Sequence, residues 1–421
     1  MLPNRSRGCP GAASAATTCT IRFVPISFEG SGRRWWCAVR DLADYMILTL
    51  ALRNLVHDRI RLAVTLVGIL FSIVLVAVQL GLYLGSSRMI TANIDKADGD
   101  LWITTFGAKS FEDGGVLLSD RDRHQALATP GVQSVVPLVV SFAEWRKPAG
   151  GSSRVVVVGS DFEDHGLVPW SLSQGTLEDI KAPDAVAVDR SYLGELGISG
   201  IGDTAQVATG RVKVRALTEG VRSFTQSPYA YTTLNRARDL LGAGSDATTF
   251  LLVKLAPGAK LEEVQANLAS RLPSDDVLTK DEFRARSLKQ WLFKTGAGLA
   301  LIGGALLGSL VGTVIVAQTL YSSTKDHIHE FATLRALGSS KGYIHKVILA
   351  QAGFSAVIGY ALGMIIALLI LYASRNSALP LVMTPGLAFW LFALTVGMCA
   401  ISALSAIVKV TKIDPATVFS R

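Results

Sequence analysis

The sequence predicts an α-helical membrane protein with four transmembrane helices and an α+β periplasmic domain inserted between helices 1 and 2. Leu62 to Ser87, Thr295 to Thr324, Val347 to Ser374 and Leu387 to Val408 contain no Asp, Glu, Lys or Arg. Each exceeds the roughly 20 residues that a bilayer core requires. The long interval between the first and second stretches instead alternates strand and helix signals. Half of the 421 residues are hydrophobic (50%) and the mean hydropathy is +0.39, which excludes a mostly soluble enzyme.

Residues 1–45 come first and differ from the rest. They are rich in small residues, basic, and hold Cys9, Cys19 and Cys37 without a hydrophobic segment of signal-peptide length. A more natural opening begins at Met46. The leader reads as disordered or as lying upstream of the true start, with a targeting or regulatory extension as the alternative.

From Met46 to Ile60, Ile47, Leu48, Leu50, Leu52, Leu55 and Val56 recur near helical spacing, opposite Arg53, His57 and Arg59. This is either an interfacial elbow helix or the first span's own extension, so 46–87 form one unit.

Residues 88–294 are expected to fold outside the bilayer. Asp100 to Phe106 reads as a strand and Ser119 to Thr129 as a helix opened by a Ser119–Asp122 capping arrangement. Strands follow at Val135 to Trp145 and Arg154 to Gly159. A second round comprises strand Ala185 to Val188, helix Arg190 to Leu196, paired strands Thr204 to Ala208 and Arg211 to Leu217, and strand Tyr229 to Thr233. Helix Leu234 to Leu241, strand Phe250 to Leu255 and helix Leu261 to Leu272 complete it. This domain contains none of the four cysteines, so its core must hold it without a disulfide. Phe283, Leu288, Trp291 and Leu292 then form an apolar stripe among charges, suited to a stalk or to an interfacial anchor.

Residues 295–421 hold the last three spans and the loop 325–346. Small residues recur four apart at Gly81 and Gly85, at Gly304, Gly308 and Gly312, and at Gly359 and Gly363, a spacing that lets helices approach closely. Packing within the bundle is the plain reading, and a dimer seam is the other.

Lys and Arg flank the spans unevenly. Arg53, Arg59 and Arg61 precede the first, and Lys325, Arg335, Lys341 and Lys346 lie between the second and third. Lys409, Lys412 and Arg421 follow the fourth, against Arg375 alone between the third and fourth. Both termini and the 325–346 loop are therefore expected in the cytoplasm, with the large domain outside. Lys280, Arg284, Arg286, Lys289 and Lys294 run against that count, and are set aside because the rule weakens beside long translocated domains. The formal charge of +8 is read as membrane orientation and not as nucleic-acid binding.

Chemistry is sparse. The spans offer Gln79, Gln318 and Gln351 but no ionisable group suited to an ion-driven carrier. There is no complete phosphate-binding Gly-x-x-x-x-Gly-Lys-Ser/Thr loop, so any ATP dependence must come from a partner. Gly338, Ser340 and Gly342 spell a nucleophile elbow, but in a helical context. His329 and Glu330 begin a zinc-protease motif, but Thr333 stands where the second histidine belongs. His327 with His329, and Asp161 with Glu163, Asp164 and His165, read as solvated loops. No catalytic or metal residue is expected.

In the loop Asp326 to Lys346, Ile328, Phe331, Leu334 and Leu337 fall at helical spacing, Gly338 suits a helix C-terminus, and a second helix restarts near Lys341. A surface helix gripped by a soluble partner and a plain hairpin resting on its own bundle fit this pattern equally.

The stretch HEFATLRALGSSKGYI, the glycine-punctuated span after it and the terminal IDPATVFSR resemble the permease subunits of the FtsX and MacB superfamily of ABC transporters. ALRNLVHDRIRLAVTLVGILFSIVLVAVQLGLYLG followed by DLWITTFGAKSF is similar to the DevC subfamily. The likeness runs from about Met46 to Arg421. It implies an inner-membrane permease that dimerises, binds a separate ABC ATPase and acts by mechanotransmission. DevC-like members export lipid-like substrates with a HlyD-type membrane fusion protein and a TolC-like outer-membrane protein. By the same resemblance Glu330, Leu334, Arg335, Ala336, Leu337, Gly338 and Ser339 form the ATPase-coupling loop. Lipoprotein extraction, and FtsX-like mechanical regulation of a cell-wall hydrolase, stay open as other roles.

Overall fold

The computed structural model describes residues 47–53, 55–112, 117–162, 166–330, 333, 340–374 and 381–411. The 1–45 leader, Glu163, Asp164 and His165, and Leu334 to Ser339 lie outside the described residues.

The chain enters through α1 (Ile47–His57). Ile47 and Ala51 are buried against Leu320, Ile344, Val347, Ile348, Ala403 and Ile407, so α1 lies on the bundle. Helix α2 (Arg59–Lys96) follows. Asp58 starts it by accepting the Arg61 backbone N–H at 3.3 Å, which satisfies one of the unpaired donors of a first turn. At 38 residues it extends ~57 Å at 1.5 Å per residue, well beyond a hydrocarbon core of about 30 Å. The surplus rises into the next domain.

That domain contains β1 (Leu101–Thr105), α3 (Asp120–Leu127), β2 (Val132–Arg146), β3 (Ser152–Ser160), β4 (Leu172–Gln174), α4 (Leu177–Ile180) and β5 (Ala185–Asp189). A 3₁₀ turn leads into α5 (Leu193–Leu196), then β6 (Thr204–Val207), β7 (Gly210–Thr218), β8 (Tyr229–Thr233), α6 (Leu234–Leu241), β9 (Phe250–Leu255), α7 (Leu261–Arg271), β10 (Asp275–Thr279) and α8 (Lys280–Leu288). The Ser119–Asp122 capping box is formed at the start of α3.

Ten strands make one sheet, ordered β10-β1-β9-β2-β3-β8-β5-β7-β4, with β6 pairing β2 and β7. Most pairings are antiparallel, while β3–β8 and β5–β7 are parallel. The short polar strand β10, beside β1 at the edge, carries no apolar run and gave no strand signal. One face of the sheet packs Trp102, Phe111, Phe250 and Phe283 together, with ring centroids 5.0 to 6.1 Å apart. Phe283 comes from α8, so the sheet core and the return to the bilayer share one aromatic cluster.

After α8 a π-helical turn, Lys289–Lys294, leads to α9 (Ala297–Asp326). Gly296 at the junction has φ +82°, a left-handed conformation open to glycine at little cost. The expected stalk therefore continues toward the membrane with a break at this residue. Helices α10 (Lys341–Ala373) and α11 (Pro385–Thr411) complete four apolar helices, each long enough to cross a bilayer.

The glycines set how closely these helices pack. A Cβ on Gly304, Gly308 or Gly312 of α9 would meet Gln79, Leu75 or Ser72 of α2, at 2.6, 2.9 and 2.5 Å. On Gly359 and Gly363 of α10 it would meet Ile69 and Ile73, at 2.5 and 3.0 Å. Ser72 Oγ uses that proximity to donate to the Gly308 carbonyl at 2.8 Å. Five glycines thus face α2 within one chain.

Candidate functional site

Helix α2 runs between two contact sites, one at the loop end of the bundle and one in the domain core. At the loop end, Arg61 reaches across from α2 to Asp326, the last residue of α9, with Nη2–Oδ2 at 2.5 Å, and also pairs with Asp58 at 3.2 Å. The α9 helix closes at His327, where the backbone leaves helical geometry. His327 Nδ1 then faces Glu330 Oε1 at 3.1 Å. Glu330 stays largely exposed, its side chain 61% accessible, while His327 is 14% accessible. Thr333 Oγ1 donates to the His329 carbonyl at 2.8 Å. Helix α10 restarts at Lys341 behind an extended Ser340.

Glu330 is therefore the one expected coupling residue whose surroundings are described. Leu334, Arg335, Ala336, Leu337, Gly338 and Ser339 lie outside the described residues. Helix α1, the end of α9, the start of α10 and the end of α11 share one buried apolar cluster.

At the other end, α2 is fastened to the domain in three ways. Arg284 of α8 pairs with Asp95 at 3.0 Å. Lys280 Nζ donates to the Ala97 carbonyl at 2.9 Å. Inside the sheet core, Tyr231 of β8 donates to Asn93 Oδ1 at 2.7 Å, with Asn93 1% and Tyr231 1% exposed. Next to Tyr231, Tyr229 lies 6.0 Å away by ring centroid and donates to the buried Glu112 carboxylate. That carboxylate also accepts from Ser223 at 2.7 Å and Thr225 at 2.8 Å. Burial pushes the Tyr229 hydroxyl well above its ordinary pKa, and the Glu112 charge adds to the shift. It stays protonated and donates.

Phe224, between those two hydroxyl residues, packs on Trp291 of the π-helical turn, with ring centroids 5.7 Å apart. The polar network thus touches both routes into the membrane, α2 through Asn93 and α9 through Trp291. Sequence reasoning missed this network. Its local sign was Asn93, an amide buried beside Met89, Ile90 and Ile94 on α2.

In the half of the bundle nearest the domain, α2, α9 and α11 leave an apolar cavity of about 520 Å3, lined by Val76, Leu80, Ala305, Leu387 and Leu391 among others. Such a space suits hydrocarbon more than water.

The model of the MacB-like periplasmic core domain matches residues 62–271. That of the FtsX-like permease C-terminal region matches 302–415. An uncharacterized ABC transporter permease of Mycobacterium tuberculosis is 24% identical over 375 residues, covering 89% of this chain and 99% of the relative. A macrolide export ATP-binding/permease protein MacB of Paracoccus denitrificans is 27% identical over 345 residues, 76% of this chain but 50% of the relative. The chain therefore spans half of that protein's length. Among solved structures, the periplasmic region of MacB from Actinobacillus actinomycetemcomitans aligns with a TM-score of 0.34 and 16% identity, over 47% of this chain and 94% of that one.

Proposed function

We propose, from the fact that this chain belongs to the FtsX/MacB superfamily of ABC transporter permeases, that it converts ATP turnover by a separate ATPase into movement of its extramembrane domain. The observation that carries this reading is α2. A single unbroken helix of 38 residues is ion-paired to the loop end through Arg61 and Asp326 and hydrogen-bonded into the domain core through Asn93 and Tyr231. A stiff rod held at both ends transfers displacement, where a flexible linker would absorb it.

In this reading the chain performs no covalent chemistry and binds no cofactor. The ATPase docks on the 325–346 loop through Glu330 and the residues Leu334 to Ser339. Both termini and that loop are cytoplasmic, the domain is periplasmic, and the protein sits in the inner membrane. Two copies form the working permease. A HlyD-type fusion protein and a TolC-like outer-membrane protein complete an export path of the DevC kind. The apolar cavity between α2, α9 and α11 favours a lipid-like substrate.

The test is copurification with an ABC ATPase partner, and permease-stimulated ATP turnover in nanodiscs. Glu330→Lys reverses an exposed charge, and Leu334→Asp places a carboxylate in the proposed apolar contact, typically a loss of a few kcal/mol. Both should reduce copurification and turnover without affecting membrane insertion. Wild-type values in both variants remove the loop from coupling and leave a plain hairpin.

A further inference from the structure

Five cations, Lys280, Arg284, Arg286, Lys289 and Lys294, precede the second span on the side where positive charge is disfavoured. The fold separates them into two sets. Lys280 and Arg284 hold α8 to the top of α2, through the Ala97 carbonyl and Asp95. Arg286, Lys289 and Lys294 face the other way. With Lys109, Phe106, Gly107 and Asp276 they line a groove of about 330 Å3.

The groove is built as well as charged. Asp276 accepts from Arg286 at 2.5 Å and from the Gly107 backbone N–H at 3.2 Å. Arg286 also donates to the Ala108 carbonyl at 3.3 Å. This fixes the loop 106–109 against α8, so the groove wall is held in place. The Asp276 carboxylate offsets one cation, leaving the lining net positive. Lys289 and Lys294 are exposed and make no ion pair among the described residues.

Position indicates the ligand. Lys294 is the last residue of the π-helical turn, and α9 begins at Ala297. The groove therefore opens where the chain enters the bilayer, at headgroup level. Phe106, 81% exposed, and Phe293, 43% exposed, lie beside these cations in sequence. Aromatic rings at the polar-to-apolar boundary are characteristic of membrane interfaces. Cations close to a bilayer surface attract anionic headgroups, and a phosphate among several lysines gains charge-assisted hydrogen bonds.

We propose that this groove binds the phosphate of an anionic phospholipid in the leaflet adjoining the extramembrane domain, fixing the lower edge of that domain to the membrane. The inference is independent of ATPase coupling, and its test needs only the full chain.

The protein is reconstituted in nanodiscs of mixed phosphatidylcholine and phosphatidylglycerol, released into mild detergent, and its retained lipid measured by native mass spectrometry. Wild-type protein should retain phosphatidylglycerol in preference to phosphatidylcholine. The pair Lys289→Gln and Lys294→Gln should lower that retention about tenfold, and Lys289→Arg with Lys294→Arg should restore it. Lys260→Gln, in an exposed ion pair at the start of α7, should leave retention unchanged and controls for loss of a distant surface charge. Equal retention of the two lipids by wild type, or full retention by the glutamine pair, overturns the proposal. Binding of inorganic phosphate by wild type but not by the glutamine pair, with no preference for phosphatidylglycerol, also overturns it, in favour of a site for soluble anions.

Discussion

Tyr231 and Asn93, 138 residues apart in the chain, share a 2.7 Å hydrogen bond inside the sheet core. It joins the fourth-from-edge strand of a ten-stranded sheet to the last turns of a helix that begins beyond the far side of the bilayer. The Asn93 Nδ2 has no partner among the described residues, so the bond satisfies the amide's carbonyl alone.

Tyr231→Phe keeps the ring and its packing on Trp170, at 5.9 Å between centroids, and removes only the hydroxyl. An unpaired buried carbonyl costs about 1–3 kcal/mol. Thermal unfolding of the full chain in detergent should show that loss. If α2 transmits movement as proposed, ATP turnover and transport should also become less tightly linked in the reconstituted complex.

Gly312→Ala should destabilise the bundle by about 1–3 kcal/mol, because the new Cβ overpacks a closed contact. It would stand 2.5 Å from Ser72 and 2.8 Å from the Met398 sulfur. Gly303→Ala on the same helix meets nothing within 4 Å and should be neutral or mildly stabilising through helix propensity. Melting temperatures of the two variants give the comparison.

Asp275 should make stability depend on pH. Burial raises its carboxyl to about 6 from 3.8, with Asp122 and Asp276 adding like-charge repulsion, and its Oδ2 lacks a partner among the described residues. The folded state then holds the proton more tightly than the unfolded chain. The stabilisation is full below about pH 4 and lost as pH rises through about 6. Asp275→Asn should therefore raise the melting temperature at pH 7.5 and change it little at pH 4.

Arg61→Ala separates structural from functional roles. Its pair with Asp326 is partly exposed, 26% and 55% for the two side chains, and such pairs contribute about 0–1 kcal/mol. The melting temperature should barely move. ATPase stimulation should fall clearly, since the variant releases α2 from the end of α9.

Topology can be read from cysteine labelling. Ser160 is fully buried and unsuitable, whereas Ser152 at the start of β3 is exposed. A cysteine at Ser152 should react with an impermeant maleimide without permeabilising the inner membrane. Reaction only after permeabilisation would reverse the proposed orientation.

The four spans and most domain elements could be read from the sequence, because apolar run length, alternation and capping residues act within a few neighbours. Ser119 and Asp122 announced α3, and Phe250 to Leu255 announced β9. β10 was not readable. Its residues Asp275–Thr279 are polar at their start, and they form a strand because β1 offers them an edge. Within residues 325–346, the His327–Glu330 contact was not readable, because the sequence pattern does not say which side chains meet.

By itself, the sequence determined that this chain spans a membrane four times around an inserted α+β domain, since transfer free energy sums along contiguous residues. Only the tertiary structure decided which partners met. It turned Gly304, Gly308, Gly312, Gly359 and Gly363 toward one helix. It divided Lys280, Arg284, Arg286, Lys289 and Lys294 between a staple and a groove, and joined Asn93 to Tyr231. Those outcomes depend on sheet order and helix crossing. Contacts between distant residues are fixed by how the whole chain closes and by no local preference of the residues themselves.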